Sequence, residues 1–196
     1  ILPKELCQEI IEKFENDPDK FKGYVGNGIV ENKTKVSTDL HLKNPEWYQY
    51  NELLNKYLMI GISKYFKYLL TDAYCNLDHI LEQRFGHDII NSNFQIQKYE
   101  IGGKFEWHID DSPLCKRLFA FIIYLNDNDG CTEFKLGKKV KPETGKILIF
   151  VGSMIYENIL RYSIRSVFPY DLLIVVENVN YLLNNNFCIV FWYYSF

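Results

Sequence analysis

Helical patterning first and closely spaced strands afterwards predict an α+β chain, most simply a pair of N-terminal helices buttressing a double-stranded β-helix, or jelly roll. Two observations carry that expectation. Before about residue 70 the apolar side chains recur at helical spacing, whereas after about residue 89 they gather in short runs separated by Gly, Asn and Asp. A length of 196 residues with 47% hydrophobic content suffices for one buried core and argues for a single domain.

The elements follow in order. From Pro3 to Phe14 the residues Leu6, Ile10, Ile11 and Phe14 share one helical face, and Pro3 stands where a helix start tolerates its missing N–H. Gly23 to Asn44, with Gly26, Asn27, Gly28 and Asn32, reads as loop and short extended structure. Pro45 then opens a long helix from about Trp47 to Leu70. Its apolar residues Leu53, Leu54, Tyr57, Leu58, Ile60, Ile62, Tyr65 and Leu69 cover much of the circumference, which suits a helix packed on a sheet. Strand-like runs come next at Phe94–Tyr99, Leu118–Leu125, Thr132–Lys135 and Ile147–Val151. Asn126-Asp127-Asn128-Asp129-Gly130 and Pro142-Glu143-Thr144-Gly145 supply turns between them. The chain thus divides into a helical support region (1–88), a jelly-roll core (89–157) and an atypical tail (158–196), all within one domain.

Charge and cysteine usage narrow the function classes. The 22 basic and 25 acidic residues are scattered, so there is no basic stripe for nucleic acid and no polybasic cluster for an anionic membrane. Cys7, Cys75, Cys115, Cys131 and Cys188 are widely spaced and form no CxxC pair, which fits a reducing, cytoplasmic setting. Lys4, Glu5, Gln8 and Glu9 interrupt the N-terminal apolar residues and argue against a secretory signal. The opening residue is Ile1 and not Met, which reads as a fragment.

The chemistry is concentrated in "GKFEWHIDDSP", where His108 and Asp110 stand two residues apart. In an extended chain alternate side chains share a face, so these two point together while Trp107 and Ile109 point away, and Asp111 also points away from His108. An imidazole and a carboxylate suit a borderline divalent metal, and a histidine from a distant strand would complete the 2-His-1-carboxylate set of non-haem Fe(II) oxygenases. A pair alone also suits a solvated strand end. Trp107 reads as a packing residue behind this loop, with a substrate-facing role as the alternative. His41, His79 and His87 read as helix or loop histidines, and "KLGKKVKPETGK" as a solvated hairpin.

Three blocks, "QIQKYEIGGKFEWHIDDSP", "RLFAFIIYLNDNDGCTEF" and "VKPETGKILIF", together resemble the Fe(II)/2-oxoglutarate-dependent dioxygenases, specifically their prolyl 4-hydroxylase-like branch. The likeness is close over residues 94 to 157: a Tyr ahead of the HxD pair, a Tyr-Leu-Asn strand leading to a Gly-rich turn, and a Lys-Pro-x-x-Gly-x-hydrophobic strand. In the turn Cys131 stands where the family has a second glycine. The resemblance implies iron held by His108 and Asp110, 2-oxoglutarate as co-substrate, ascorbate as a further cofactor, and hydroxylation of a peptidyl prolyl-type or small-molecule substrate with release of succinate and carbon dioxide. It also implies that Tyr99 hydrogen-bonds the co-substrate near the metal and that Tyr124 reaches its distal carboxylate.

The pattern breaks after Val151. The family places its second metal histidine in the following passage and, further on, an Arg or Lys for the distal carboxylate. Here Asn158 occupies the histidine's place, and Arg165, or else Arg161, is left as the carboxylate's partner. No histidine follows His108. The passage reads as the product of a frameshift, an assembly error or a decayed gene downstream of an intact first half. An Asn codon ends in a pyrimidine and an Ile codon begins AT, so the triplet spanning Asn158 and Ile159 is CAT or TAT, His or Tyr. In the same frame the triplet spanning Ser166 and Val167 can encode Arg, the next is apolar, and that spanning Phe168 and Pro169 is Ser or Pro, similar to the family's basic-aliphatic-Ser passage. If the frame is as written, the alternative to an oxygenase is a non-catalytic jelly-roll binding module.

Overall fold

The computed structural model describes residues 2–26, 28–72, 89–91, 94–110, 116–135, 137–151, 174–175 and 186–195. Helix α1 runs Lys4–Asn16 and buries Cys7, Ile10 and Phe14, residues three and four apart that form one stripe. Its end is fixed from two directions. The Lys20 ammonium donates to the carbonyls of Phe14 and Glu15 at 2.9 and 2.6 Å, a cation placed where the helix leaves acceptors unused. Just beyond, the buried Asp17 carboxylate accepts from the Trp47 indole N–H at 2.8 Å, tying α1 to the start of the second helix.

That second helix, α2, spans Tyr48–Asp72 and follows a single 3-10 turn, Pro45–Trp47, that Pro45 initiates. The buried stripe is narrower than the sequence suggests: Leu54, Leu58 and Ile62 are buried, while Ile60 is about half exposed. Gly61 lies on the face that meets the sheet, where a Cβ would come into ordinary contact with the side chains of Ile147 and Ile149 at 3.6 and 3.9 Å. Among the described residues no helix is long and apolar enough to cross a membrane.

The strands are β1 (Phe21–Lys22), β2 (Lys35–Val36), β3 (Thr38–His41), β4 (Ile89–Asn91), β5 (Gln95–Tyr99), β6 (Lys104–Phe105), β7 (Lys116–Tyr124), β8 (Thr132–Glu133), β9 (Lys139–Val140), β10 (Ile147–Val151), β11 (Ile174–Val175) and β12 (Asn186–Ser195). The α+β expectation therefore holds, with every strand pairing antiparallel. Eight strands form one sheet in the order β1-β3-β5-β12-β7-β10-β11, with β4 also on β12, while β2-β6 and β8-β9 are two-stranded. Strands from all three sequence segments share the large sheet. The segment read as loop and short extended structure, Gly23 to Asn44, contributes β3, and the tail contributes β12, which lies between β5 and β7.

Strand alternation divides this sheet into two faces with different chemistry. One carries Leu40, Ile96, Phe121, Ile123, Ile147 and Ile149 into the core beneath the helices. At roughly 1.5–3 kcal/mol for each large apolar side chain removed from water, this layer is the main source of stability. On the other face, Ala120, Tyr124, Leu148 and Phe150 pack with Phe134 and Val140 from the β8–β9 hairpin. Asp39 and Gln97 oppose each other across β3 and β5, and the polar residues Gln95, Gln97 and Tyr99 share that second face by alternation.

Candidate functional site

The metal-type motif is delivered by the short β2–β6 pair. Between β5 and β6 the chain reverses at Gly102 and Gly103, with the Gly103 N–H donating to the Glu100 carbonyl at 2.7 Å. Gly102 has φ +81°, and a Cβ on Gly103 would lie 2.8 Å from the Glu100 oxygen and 2.9 Å from the Val36 oxygen. "GG" is thus required for the strands to approach. Phe105 then pairs with Lys35, and the Glu106 N–H donates to the Thr34 carbonyl at 2.8 Å, the last rung before the chain leaves the ladder.

His108 and Asp110 lie just beyond that rung, in irregular chain that bends at Trp107 and at Asp110, and not in the extended strand the sequence suggests. They nevertheless face each other, with His108 Nε2 3.7 Å from Asp110 Oδ1. His108 Nδ1 lies 2.8 Å from the Glu106 carbonyl oxygen. A carbonyl can only accept, so Nδ1 carries the proton and, in the neutral ring, the Nε2 lone pair is directed to the same space as the carboxylate. Metal–nitrogen and metal–oxygen bonds of about 2.0–2.2 Å allow one ion to bridge donors at this separation. The donor types and their spacing therefore fit two positions of a divalent iron site. Among the described residues no group of three His, Cys, Asp or Glu side chains converges on such a site.

Asp110 is 9% exposed and His108 is more open, which leaves the imidazole edge accessible while the carboxylate is sheltered. The ring of His108 stacks on Phe105 with centroids 3.6 Å apart and planes 9° from parallel. Trp107 is 49% exposed, contrary to its reading as a packing residue, and the Lys135 ammonium lies 5.7 Å from its ring centroid. Bending of the chain after Phe105 carries it outward.

Tyr99 and Tyr124 both belong to the second face of the sheet, Tyr99 beside the buried glutamines and Tyr124 in the apolar cluster with Phe134 and Phe150. The Tyr99 hydroxyl donates to Gln97 Oε1 at 2.8 Å, and the buried Tyr124 hydroxyl shares a hydrogen bond with Thr132 Oγ1 at 2.6 Å. Tyr124 thereby anchors the "GCTEF" turn to the end of β7. Asn158, Arg161, Arg165, Asp111, His79 and His87 lie outside the described residues. His41 ends β3 and pairs with the Tyr24 hydroxyl at 2.9 Å through Nε2, while burial, and then the Lys43 charge, lowers its pKa. In the charged hairpin Lys135, Lys138, Lys139 and Lys141 are solvated as read, but Phe134, Val140 and Lys146 are buried.

The residues that sequence reasoning missed are Lys35, Asp39, Gln95 and Gln97, all buried polar groups clustered beside the motif. The signal was present as alternation. In "QIQKY" every second residue is polar although the strand is central, which marks a sheet face that is enclosed but not apolar.

No curated protein is a significant match by sequence. Residues 94–168 match the family described as the 2OG-Fe(II) oxygenase superfamily, a stretch that contains the HxD motif, both tyrosines and the positions of Asn158 and Arg165. Among solved structures, the chain is similar to a viral collagen prolyl hydroxylase from Paramecium Bursaria Chlorella virus-1 in its 2OG complex, with 17% identity, TM-score 0.54, and coverage of 100% of this chain and 92% of that one. A Pseudomonas putida prolyl-4-hydroxylase gives 11% identity and TM-score 0.56 over 99% of this chain and 89% of its own. A Trichoplax adhaerens prolyl hydroxylase, in complex with a hypoxia inducible factor oxygen degradation domain peptide fragment, gives 11% and 0.53 over 98% and 78%. Residues 94–168 are therefore similar to the 2OG-Fe(II) oxygenase superfamily, and the chain as a whole is similar in fold to these prolyl hydroxylases.

Proposed function

We propose that the protein is an Fe(II)- and 2-oxoglutarate-dependent oxygenase that hydroxylates a peptidyl, prolyl-type substrate or a small molecule. The observation that carries this reading is the 3.7 Å approach of His108 Nε2 to Asp110 Oδ1, with Nδ1 fixed by the Glu106 carbonyl. In the proposed architecture the large sheet and the two short strand pairs are the parts of a double-stranded β-helix, with β12 as its closing central strand. When bound, iron with 2-oxoglutarate supplies oxidative decarboxylation to succinate and carbon dioxide coupled to C–H hydroxylation. His108 and Asp110 hold the metal. Tyr99 presents its hydroxyl to the co-substrate, exchanging the Gln97 acceptor for it, and Tyr124 with Arg165 receives the distal carboxylate. Ascorbate serves as a reductant in the same proposal.

Asn158 favours a second reading, a binding module that has lost its third ligand, because an amide oxygen replaces imidazole poorly at Fe(II). A frameshift within the Asn158 codon is the proposed origin, although the tail as written supplies β12 to the sheet. Sequencing the coding DNA decides that point. The functional readings are separated by succinate formation from 2-oxoglutarate under oxygen. Catalysis predicts slow turnover that Asp110→Ala abolishes and that Asn158→His raises by at least about tenfold, the lower end of what even an outer-sphere partner contributes. Activity surviving Asp110→Ala would refute the metal assignment, and a folded Asn158→His protein without turnover would leave the binding module.

A further inference from the structure

We propose that Lys35 and Asp39, acting through Phe105, form a buried positioning unit that holds the His108 imidazole ready for a metal; the inference rests on His108 being a ligand. The two side chains are 3% and 1% exposed with Nζ and Oδ2 2.6 Å apart. Removing both charges from water is costly, and the attraction between them offsets it only when further hydrogen bonds complete the shell. Asp39 has that shell: Ser37 Oγ donates at 2.7 Å and Gln95 Nε2 at 2.9 Å. Gly23 makes space for it, since a Cβ there would lie 2.1 Å from Ser37 Oγ and 3.1 Å from Asp39 Oδ2.

The unit is directed at the metal motif. The Lys35 ammonium lies 5.1 Å from the Phe105 ring centroid, and that ring lies 3.6 Å from the centroid of His108, nearly parallel to it. Two aromatic rings left to themselves prefer an offset or edge-on arrangement over so close a sandwich. A cation near Phe105 attracts the negative charge of the ring's face and relieves the repulsion that a second ring would feel. The backbone reinforces the arrangement, because Lys35 and Phe105 are paired residues of β2 and β6. With its plane set by Phe105 and its Nδ1 set by Glu106, the imidazole has one orientation left, and Nε2 faces Asp110. Asp39 stands opposite Gln97 on the main sheet, so the same carboxylate references the metal hairpin to the strand that bears Tyr99. Lys35 and Asp39 are therefore positioning residues and touch no substrate.

The test uses Lys35→Met/Asp39→Asn, which removes both charges and leaves no single buried charge behind. In metal-free protein at mildly alkaline pH, imidazole 15N shifts report the tautomer of His108, and Co(II) absorbance reports metal affinity. Wild type should show the Nδ1–H tautomer alone. The double variant should fold, show mixed tautomers, and bind Co(II) about 10–100-fold more weakly, as loss of an orienting partner does. A folded double variant with an unchanged tautomer and unchanged affinity would overturn the proposal. Should the variant not fold, Phe105→Leu breaks the relay and leaves the ion pair in place; the same two readouts then decide, unchanged values again counting against it. Wild type that binds no Co(II) defeats the ligand reading, whereas the tautomer measurement tests the positioning without metal.

Discussion

His108 shows how one side chain is constrained from several directions before any ligand arrives. The Glu106 carbonyl selects its tautomer and Phe105 its plane, so the entropy of ordering the ring is already spent. Cys7 illustrates burial outweighing the other influences on a titratable group, among them a backbone hydrogen bond at Gly145 that acts the opposite way. The thiol is fully buried, and this pushes its pKa from 9.0 up to about 12. The folded state therefore keeps the proton that the unfolded chain loses above pH 9, so stability is constant below pH 9 and falls as pH rises toward 12. At pH 10 the loss from this group is about 1.4 kcal/mol, one unit above the unfolded pKa. Urea unfolding at pH 8 and pH 10 should show that decrement in wild type and its absence from the pH difference of Cys7→Ala; equal slopes would contradict it.

Among the elements, the β2–β6 pair is as small as the β8–β9 pair and carries the most chemistry. Two residues from each strand, a glycine turn and one further rung from Glu106 to Thr34 hold the metal motif to the body of the protein. The main sheet does not depend on this pair, because α1, α2 and the large sheet bury their own core. Gly103→Ala should therefore separate site from fold. Its Cβ would lie 2.8 Å and 2.9 Å from two carbonyl oxygens, so the hairpin must open. We expect metal affinity to fall by at least about tenfold, while the thermal midpoint drops by a few degrees, corresponding to about 1 kcal/mol. Affinity at the wild-type level in this variant would show that the hairpin does not position the motif.

For the molecule as a whole, the helices and the longer strands were legible because their apolar residues follow a clear period. Leu54, Leu58 and Ile62 announce α2, and "FAFIIY" and "ILIF" announce β7 and β10. Strands β2, β6 and β9 are two residues long and carry no period to detect, whereas β8 falls within the strand-like run Thr132–Lys135. For β3 the short extended structure was legible but its place in the main sheet was not, because one of its faces is a buried charge network, and β12 went unread because its partners β5 and β7 are distant in sequence. At the site, His108 and Asp110 could be read from their spacing, whereas the Lys35–Asp39 unit depends on pairing between β2 and β6 that no local pattern records. The central claim is that His108 and Asp110 jointly grip a divalent metal to which 2-oxoglutarate adds. Its most direct test is an anaerobic titration of Fe(II) with 2-oxoglutarate, followed by visible absorbance, in wild type and His108→Ala. The account predicts a saturable charge-transfer band in wild type that His108→Ala removes while circular dichroism stays unchanged; no band in folded wild type, or an undiminished one in the variant, would contradict it.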